Sequence, residues 1–322
     1  MNIPTTSEDR IWAVISHLSS LAFGMGILLP IVSWSDRRRK SNYAAFQSLQ
    51  ALGYQSLGFT VWILSYLVLV IVGVIILIIM SFQAESAGQR FDPRFGPGTM
   101  LFFIVIFGFF AIYFLLPIIA AIACAFGKDF RYPILGDRLA RYLDHEPTQI
   151  TEAPRWLNED HEFRWVAGMG HFSILIMLWG MLAPLTTWIL YDKRSPFLKF
   201  QSIQTLIYQA GTTILYFAGI FIYFFGFLLL FVVMGVKGVP NFNSSEGMFG
   251  ILVFGLTLLI SFVLILIVPL LHILGQWAGY RVLKGDDYHY PLIGNLVEKS
   301  LRSRPGSETP SEPLSHTEES PS

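Results

Sequence analysis

Residues 10–55 read RIWAVISHLSSLAFGMGILLPIVSWSDRRRKSNYAAFQSLQALGYQ, and residues 164–209 read RWVAGMGHFSILIMLWGMLAPLTTWILYDKRSPFLKFQSIQTLIYQ. Laid over each other without a gap, they agree at 17 of 46 positions. Chance at this composition gives roughly three, so the chain is a tandem repeat. The shared residues include His17/His171, Ser19/Ser173, Gly26/Gly180, Pro30/Pro184, Trp34/Trp188, Ser41/Ser195 and Phe46/Phe200. They continue through Gln47/Gln201, Gln50/Gln204, Tyr54/Tyr208 and Gln55/Gln209, and Tyr132-Pro133 returns as Tyr290-Pro291 with Gly136 and Gly294 behind. Most are polar, aromatic or backbone-shaping, not the aliphatic residues that any two membrane helices share.

Working outward, the 322 residues balance 22 Lys+Arg against 22 Asp+Glu, and 53% are hydrophobic against 14% charged. Six stretches hold no charged residue: 11–35, 41–84, 95–127, 165–191, 200–236 and 247–280. Each exceeds the ~20 apolar residues that a helix needs to cross ~30 Å of hydrocarbon. A soluble globule, a disordered chain and a nucleic-acid binder are excluded. What remains is an all-α, multi-pass membrane protein whose first partner is the lipid bilayer. The single cysteine, Cys124, rules out an internal disulfide. Met1 to Arg10 lacks the basic region of a cleaved signal peptide, so the first apolar segment is expected to stay.

The chain divides into a polar tail (1–8), a membrane repeat (9–143), a cytoplasmic linker (144–163), a second membrane repeat (164–303) and a tail rich in Ser, Pro, Glu and Thr (304–322) that should be disordered. Each repeat opens with an apolar segment interrupted by Gly and Pro. A basic loop, a long helix capped by Ser41 or Ser195 and a polar loop follow. A final long apolar helix is then kinked near Pro117 or Pro269, and a short helix opens at the Tyr-Pro pair. Leu135, Leu139 and Leu143 share one face of that short helix, as do Ile293, Val297 and Leu301 in the second copy. This face is expected on the membrane surface, with Tyr at the interface.

Charge predicts the topology. If each opening segment crossed once, strict alternation would split Lys+Arg 11 to 11; if it returns to its own side, the split is 19 to 3. Cytoplasmic loops are enriched in Lys and Arg, so the second arrangement is expected, with co-oriented repeats and both termini cytoplasmic in the cell (inner) membrane. Arg37, Arg38, Arg39, Lys40, Lys193 and Arg194 then set orientation and meet lipid headgroups. The opening segments are bent or re-entrant hairpins, because two arms of ~12 residues reach only ~18 Å each.

Gln47, Gln50, Tyr54 and Gln55 fall on one helical stripe, repeated as Gln201, Gln204, Tyr208 and Gln209. With His17 and His171 they form the candidate polar cleft. The stripe either lines a path for a peptide segment or solute, or only joins helices by amide hydrogen bonds. The histidines either relay protons or cap carbonyls freed by the Gly-Pro break. No intramembrane carboxylate pair, zinc-protease motif, serine elbow or phosphate loop occurs, so no enzyme, metal or cofactor is expected. Gly275 and Gly279, with Ala123 and Gly127 opposite them, are read as close-packing surfaces.

His17-Leu18-Ser19, Pro30, Trp34, the basic loop and Phe46…Gln50-Ala51-Leu52-Gly53-Tyr54-Gln55 resemble a bacterial domain of unknown function grouped with the Tic-twenty-like family. Arg194-Ser195-Pro196-Phe197 and both Tyr-Pro pairs fit as well. The resemblance implies a four-helix unit with its ends on one side and a unit that works as a dimer, here fused in one chain; it implies no known activity. Two functions stand open: a channel-like component with a polar cleft between repeats, or a non-catalytic scaffold or assembly factor.

Overall fold

The computed structural model describes residues 5–86, 97–145, 156–237 and 245–303. Residues 1–4, 87–96, 238–244, the tail at 304–322 and half of the linker (146–155) lie outside these residues. Each repeat begins with a broken segment: α1 (Ser7–Leu18) and α2 (Leu28–Arg37) in the first, α7 (Glu159–Phe172) and α8 (Leu182–Tyr191) in the second. A long rod follows. In the first repeat it runs through α3 (Asn42–Gly53), a π turn at Tyr54–Gly58 and α4 (Phe59–Ser86); in the second it is α9 (Pro196–Lys237). Return helices α5 (Pro97–Ala125) and α10 (Ser245–Leu283) lead into short helices α6 (Leu135–Tyr142) and α11 (Ile293–Arg302).

By length and composition six segments among the described residues could cross a bilayer, Ser7–Arg37 and Glu159–Tyr191 included. The side chains show that these two do not run straight. A straight helix would hold Glu8 and Arg37 about 44 Å apart. Instead Arg37 is hydrogen-bonded to Glu8, and its guanidinium lies 5.5 Å from the Trp12 ring centre. In the second copy Phe163, near the start of α7, meets Tyr191, the last residue of α8, at 5.8 Å. Both segments are hairpins that end where they began.

The reversal is made at Phe23 (φ 52°, ψ −145°) and Met177 (φ 54°, ψ −126°), which occupy equivalent positions. Side chains other than glycine rarely hold such backbone, which costs of order 1–3 kcal/mol. Three residues on, a Cβ at Gly26 would lie 1.7 Å from the Ser19 carbonyl oxygen, and one at Gly180 would lie 2.1 Å from that of Ser173. The arms cross so closely that only glycine fits, which explains why both copies keep it.

The feet of the two hairpins meet. Trp34 Nε1 donates to the fully buried Glu162 at 2.9 Å, Tyr191 stacks on the Trp34 ring at 5.2 Å, and Arg38 pairs with Glu162 (2.9 Å) and Glu159 (3.0 Å). Both hairpins therefore open on one face, from which both rods depart. The first repeat's return helix comes back to the same level, where Tyr43 Oη donates to the Cys124 and Lys128 carbonyls. The repeats are co-oriented.

They are not symmetric. The Trp165 ring of α7 fills a notch at Gly53 on the first rod, where a Cβ would stand 2.5 Å from the ring, and its Nε1 donates to the Leu49 carbonyl at 2.9 Å. The equivalent of Gly53 on α9 is Ile207, which is exposed. The main apolar core sits at hairpin level and draws on both repeats, from Ile27, Trp34 and Phe46 to Met169, Ala183 and Leu198.

Two expectations need correction. Arg37 and Arg38 are largely buried ion-pair partners and not free headgroup ligands, whereas Arg39, Lys40, Lys193 and Arg194 are exposed. Leu139, Leu143 and Val297 pack into the protein instead of facing lipid, because the apolar stripe of a short helix covers whichever apolar surface lies nearer. The outward apolar groups are Ile134 and Leu292, 74% and 80% exposed, together with Leu296. Ile134 (φ 66°) and Leu292 (φ 67°) centre three-residue turns of the rarer, left-handed kind, closed by Leu135 N–H to Pro133 O and Ile293 N–H to Pro291 O.

Candidate functional site

The shared polar residues form one buried ladder in each repeat. At its foot the amide of Gln47 donates to Asp129 (2.8 Å) and to the Phe130 carbonyl (3.1 Å), which fixes its oxygen toward His17 Nε2 at 3.0 Å. Since that oxygen only accepts, Nε2 carries the imidazole proton and Nδ1 accepts from Tyr132 Oη at 3.0 Å. The second copy repeats this with Gln201 to the Tyr288 carbonyl (3.2 Å), His171 Nε2 to Gln201 (3.1 Å) and Tyr290 Oη to His171 Nδ1 (3.0 Å).

One turn on, Gln50 grips the backbone that opens the short helix. It donates to the Phe130 carbonyl at 2.8 Å and accepts from Tyr132 N–H at 2.7 Å; Gln204 does the same to Tyr288 and Tyr290 at 2.7 and 3.1 Å. Tyr54 stacks on Tyr132 at 4.3 Å and donates to the Tyr113 carbonyl (2.7 Å), while Tyr208 stacks on Tyr290 at 3.9 Å and donates to that of Leu271 (2.8 Å). Gln55 donates to the Ser16 carbonyl (3.4 Å) and Ser19 Oγ (2.9 Å), and Gln209 to the Gly170 carbonyl (2.8 Å) and Ser173 Oγ (3.2 Å). The Ser16 and Gly170 carbonyls at the hairpin breaks are thus capped by the hydroxyls of Ser19 (2.8 Å) and Ser173 (2.6 Å) together with the glutamines, and the histidines, expected in that role, bridge a tyrosine and a glutamine instead.

All ten residues read as a candidate cleft are buried, and each bonds within its own repeat. They do not face one another across a shared space. Among the described residues no group of three or more His, Cys, Asp or Glu is placed to hold a metal ion. What the arrangement does chemically is satisfy backbone groups at membrane depth, where water cannot. Replacing Gln50 with Leu strands Tyr132 N–H, while the Phe130 carbonyl keeps its bond from Gln47. Unsatisfied buried groups cost roughly 1–3 kcal/mol each, somewhat less inside membranes. Unfolding in mixed micelles should therefore show a loss of about 1–3 kcal/mol, matched by Gln204→Leu, which strands Tyr290 N–H alone. Unchanged stability in both variants would contradict a structural ladder.

The ladder also corrects the alignment of the return helices. Tyr113 matches Leu271 and Tyr132 matches Tyr290, each pair 158 residues apart. Pro117 therefore corresponds to Gly275 and not to Pro269, and Gly279 corresponds to Ala121. Gly275 and Gly279 do admit close neighbours, Ile174 and the Phe172 ring, as small residues at helix contacts should. The Glu162–Arg38–Trp34 cluster that joins the repeats was not legible in either copy alone. Its signal, a glutamate opening an otherwise apolar segment, is shared with Glu8, which binds Arg37 instead.

A family model described as the magnetosome magnetite crystal formation protein family (MamF/MmsF) matches residues 8–139 and again residues 162–297. This overturns the resemblance to Tic-twenty-like domains: the short His, Pro, Trp and Gln motifs that carried it are met by another family across both repeats. No curated protein and no solved structure matches the chain.

Proposed function

From the premise that this chain belongs to the magnetosome magnetite crystal formation protein family, we propose that it is a non-catalytic scaffold of the membrane at which magnetite forms. The observation that supports this most is the inward use of the ladders: all ten side chains that a conduit would present to a solute are buried, and each makes hydrogen bonds within its own repeat. The protein then acts through its shape and its contacts with lipid and neighbouring proteins. Its termini face the cytoplasm, consistent with the 19-to-3 distribution of Lys and Arg.

The test separates scaffold from conduit. Proteoliposomes holding the full chain should take up ferrous iron no faster than empty vesicles. Removing the protein from cells that make magnetite should change crystal size or shape while the membranes still form. Protein-dependent iron uptake, or unaltered crystals, would overturn the reading.

A further inference from the structure

The cross-section of the molecule changes abruptly less than halfway along its rods. Phe23, at the tip of the first hairpin, meets Phe59 at 5.6 Å, and the second hairpin ends at the same level, Ile176 and Trp179 lying against Gly24. Phe59 lies 17 residues, or about 26 Å, along a rod of about 68 Å that starts at Asn42. Below the tips four helices continue among the described residues: α4, the first part of α5, the latter part of α9 and the first part of α10. Above them the same four rods are joined by α1, α2, α7 and α8, and by α6 and α11 at the rim.

Both levels carry lipid-facing surface. Ile11, Ile15, Leu18 and Leu21 run down the outer side of the first hairpin and are exposed, as are Leu64, Ile71 and Ile78 on α4 below. Exposed apolar residues on α10 extend from Met248 to Trp277 and Tyr280, where Arg281 and Lys284 mark the headgroup boundary. The hairpins therefore lie within the bilayer, in the leaflet on the side of the termini. At about 80 Å² per helix, that leaflet holds eight helices, roughly 640 Å², and the opposite leaflet four, roughly 320 Å². Ile134 and Leu292, held outward by strained turns at the hairpin-side rim, add further apolar bulk to the same leaflet.

We infer that the protein is a membrane wedge: by occupying twice the area in one leaflet, it favours bilayers curved convexly toward its termini. The ligand is the lipid bilayer itself, recognised by curvature, and the inference rests on shape, independently of any role in crystal formation. The hairpins cannot relax into the second leaflet, because their feet are tied by Arg37–Glu8 and by the Arg38–Glu162 pair.

The test uses the full chain, labelled on surface amines and reconstituted into phosphatidylcholine–phosphatidylglycerol vesicles of about 50 and about 400 nm diameter. Molecules with termini outward and inward are distinguished by protease access to the linker. Outward-facing molecules should be several-fold denser on the small vesicles and inward-facing ones depleted from them. Equal density at both sizes, or a size preference that ignores orientation, would overturn the wedge. The orientation comparison is made within one folded sample, so the answer does not depend on a variant that fails to fold.

Discussion

Gly26→Ala is expected to prevent the first hairpin from closing. The new methyl would sit 1.7 Å from the Ser19 carbonyl oxygen and 2.5 Å from its carbon, and both obstacles are backbone. No rotamer relieves such a clash. Overpacking in cores usually costs 1–3 kcal/mol, and this site exceeds the range because the arms must separate, which also pulls Ser16 and Ser19 away from Gln55. A loss of about 3 kcal/mol or more is expected, read as proteolytic sensitivity near residues 19–28 and a fall in monodisperse yield. Gly180→Ala should behave alike, since its Cβ would lie 2.1 Å from the Ser173 oxygen. Gly211→Ala, where no atom lies within 4 Å, is the control that should be tolerated. Normal stability in Gly26→Ala would mean that the arms do not cross there.

Glu162→Ala should loosen the second repeat from the first. Glu162 is fully buried, holding Arg38 at 2.9 Å and Trp34 Nε1 at 2.9 Å, while Arg38 lies over the Trp34 and Phe163 rings. Removing one partner of a buried pair costs about 3–5 kcal/mol, because the other charge is left behind in a poor solvent. Glu159 can recover only part of this, being half exposed. Glu162→Gln keeps an acceptor for Trp34 and should lose less. The measurement is cleavage in the linker followed by size-exclusion chromatography in detergent: wild-type halves should stay together and Glu162→Ala halves should separate. Halves that remain associated would shift the burden to the Trp165–Gly53 contact.

Much of this architecture was legible in the residues. The repeat, the hairpins and the co-orientation follow from 17 identities, two Gly-Pro interruptions and a charge count. The polar stripe was legible as a set of residues but not as a ladder, because most of its partners are backbone groups. The carbonyls of Phe130, Tyr288, Ser16 and Gly170 carry no mark in a sequence. The apolar stripe of α6 was read correctly and assigned to the wrong side, since periodicity reveals a buried face without saying whether protein or lipid covers it. Arg37 and Arg38 looked like orientation signals because their acids lie 29 and 124 positions away. The asymmetry of the pair hides in one position, Gly53 against Ile207, which gains meaning only when Trp165 is seen to fill the notch.

The most direct check is the side on which single cysteines react. In a Cys124→Ala background, cysteines placed at Arg39, Lys193 and Lys299 should all be labelled by a membrane-impermeant maleimide from the same face, with one at Met25 shielded by lipid. Labelling of Arg39 and Lys193 from opposite faces would mean that an opening segment crosses the bilayer, and neither the hairpins nor the parallel repeats would survive it.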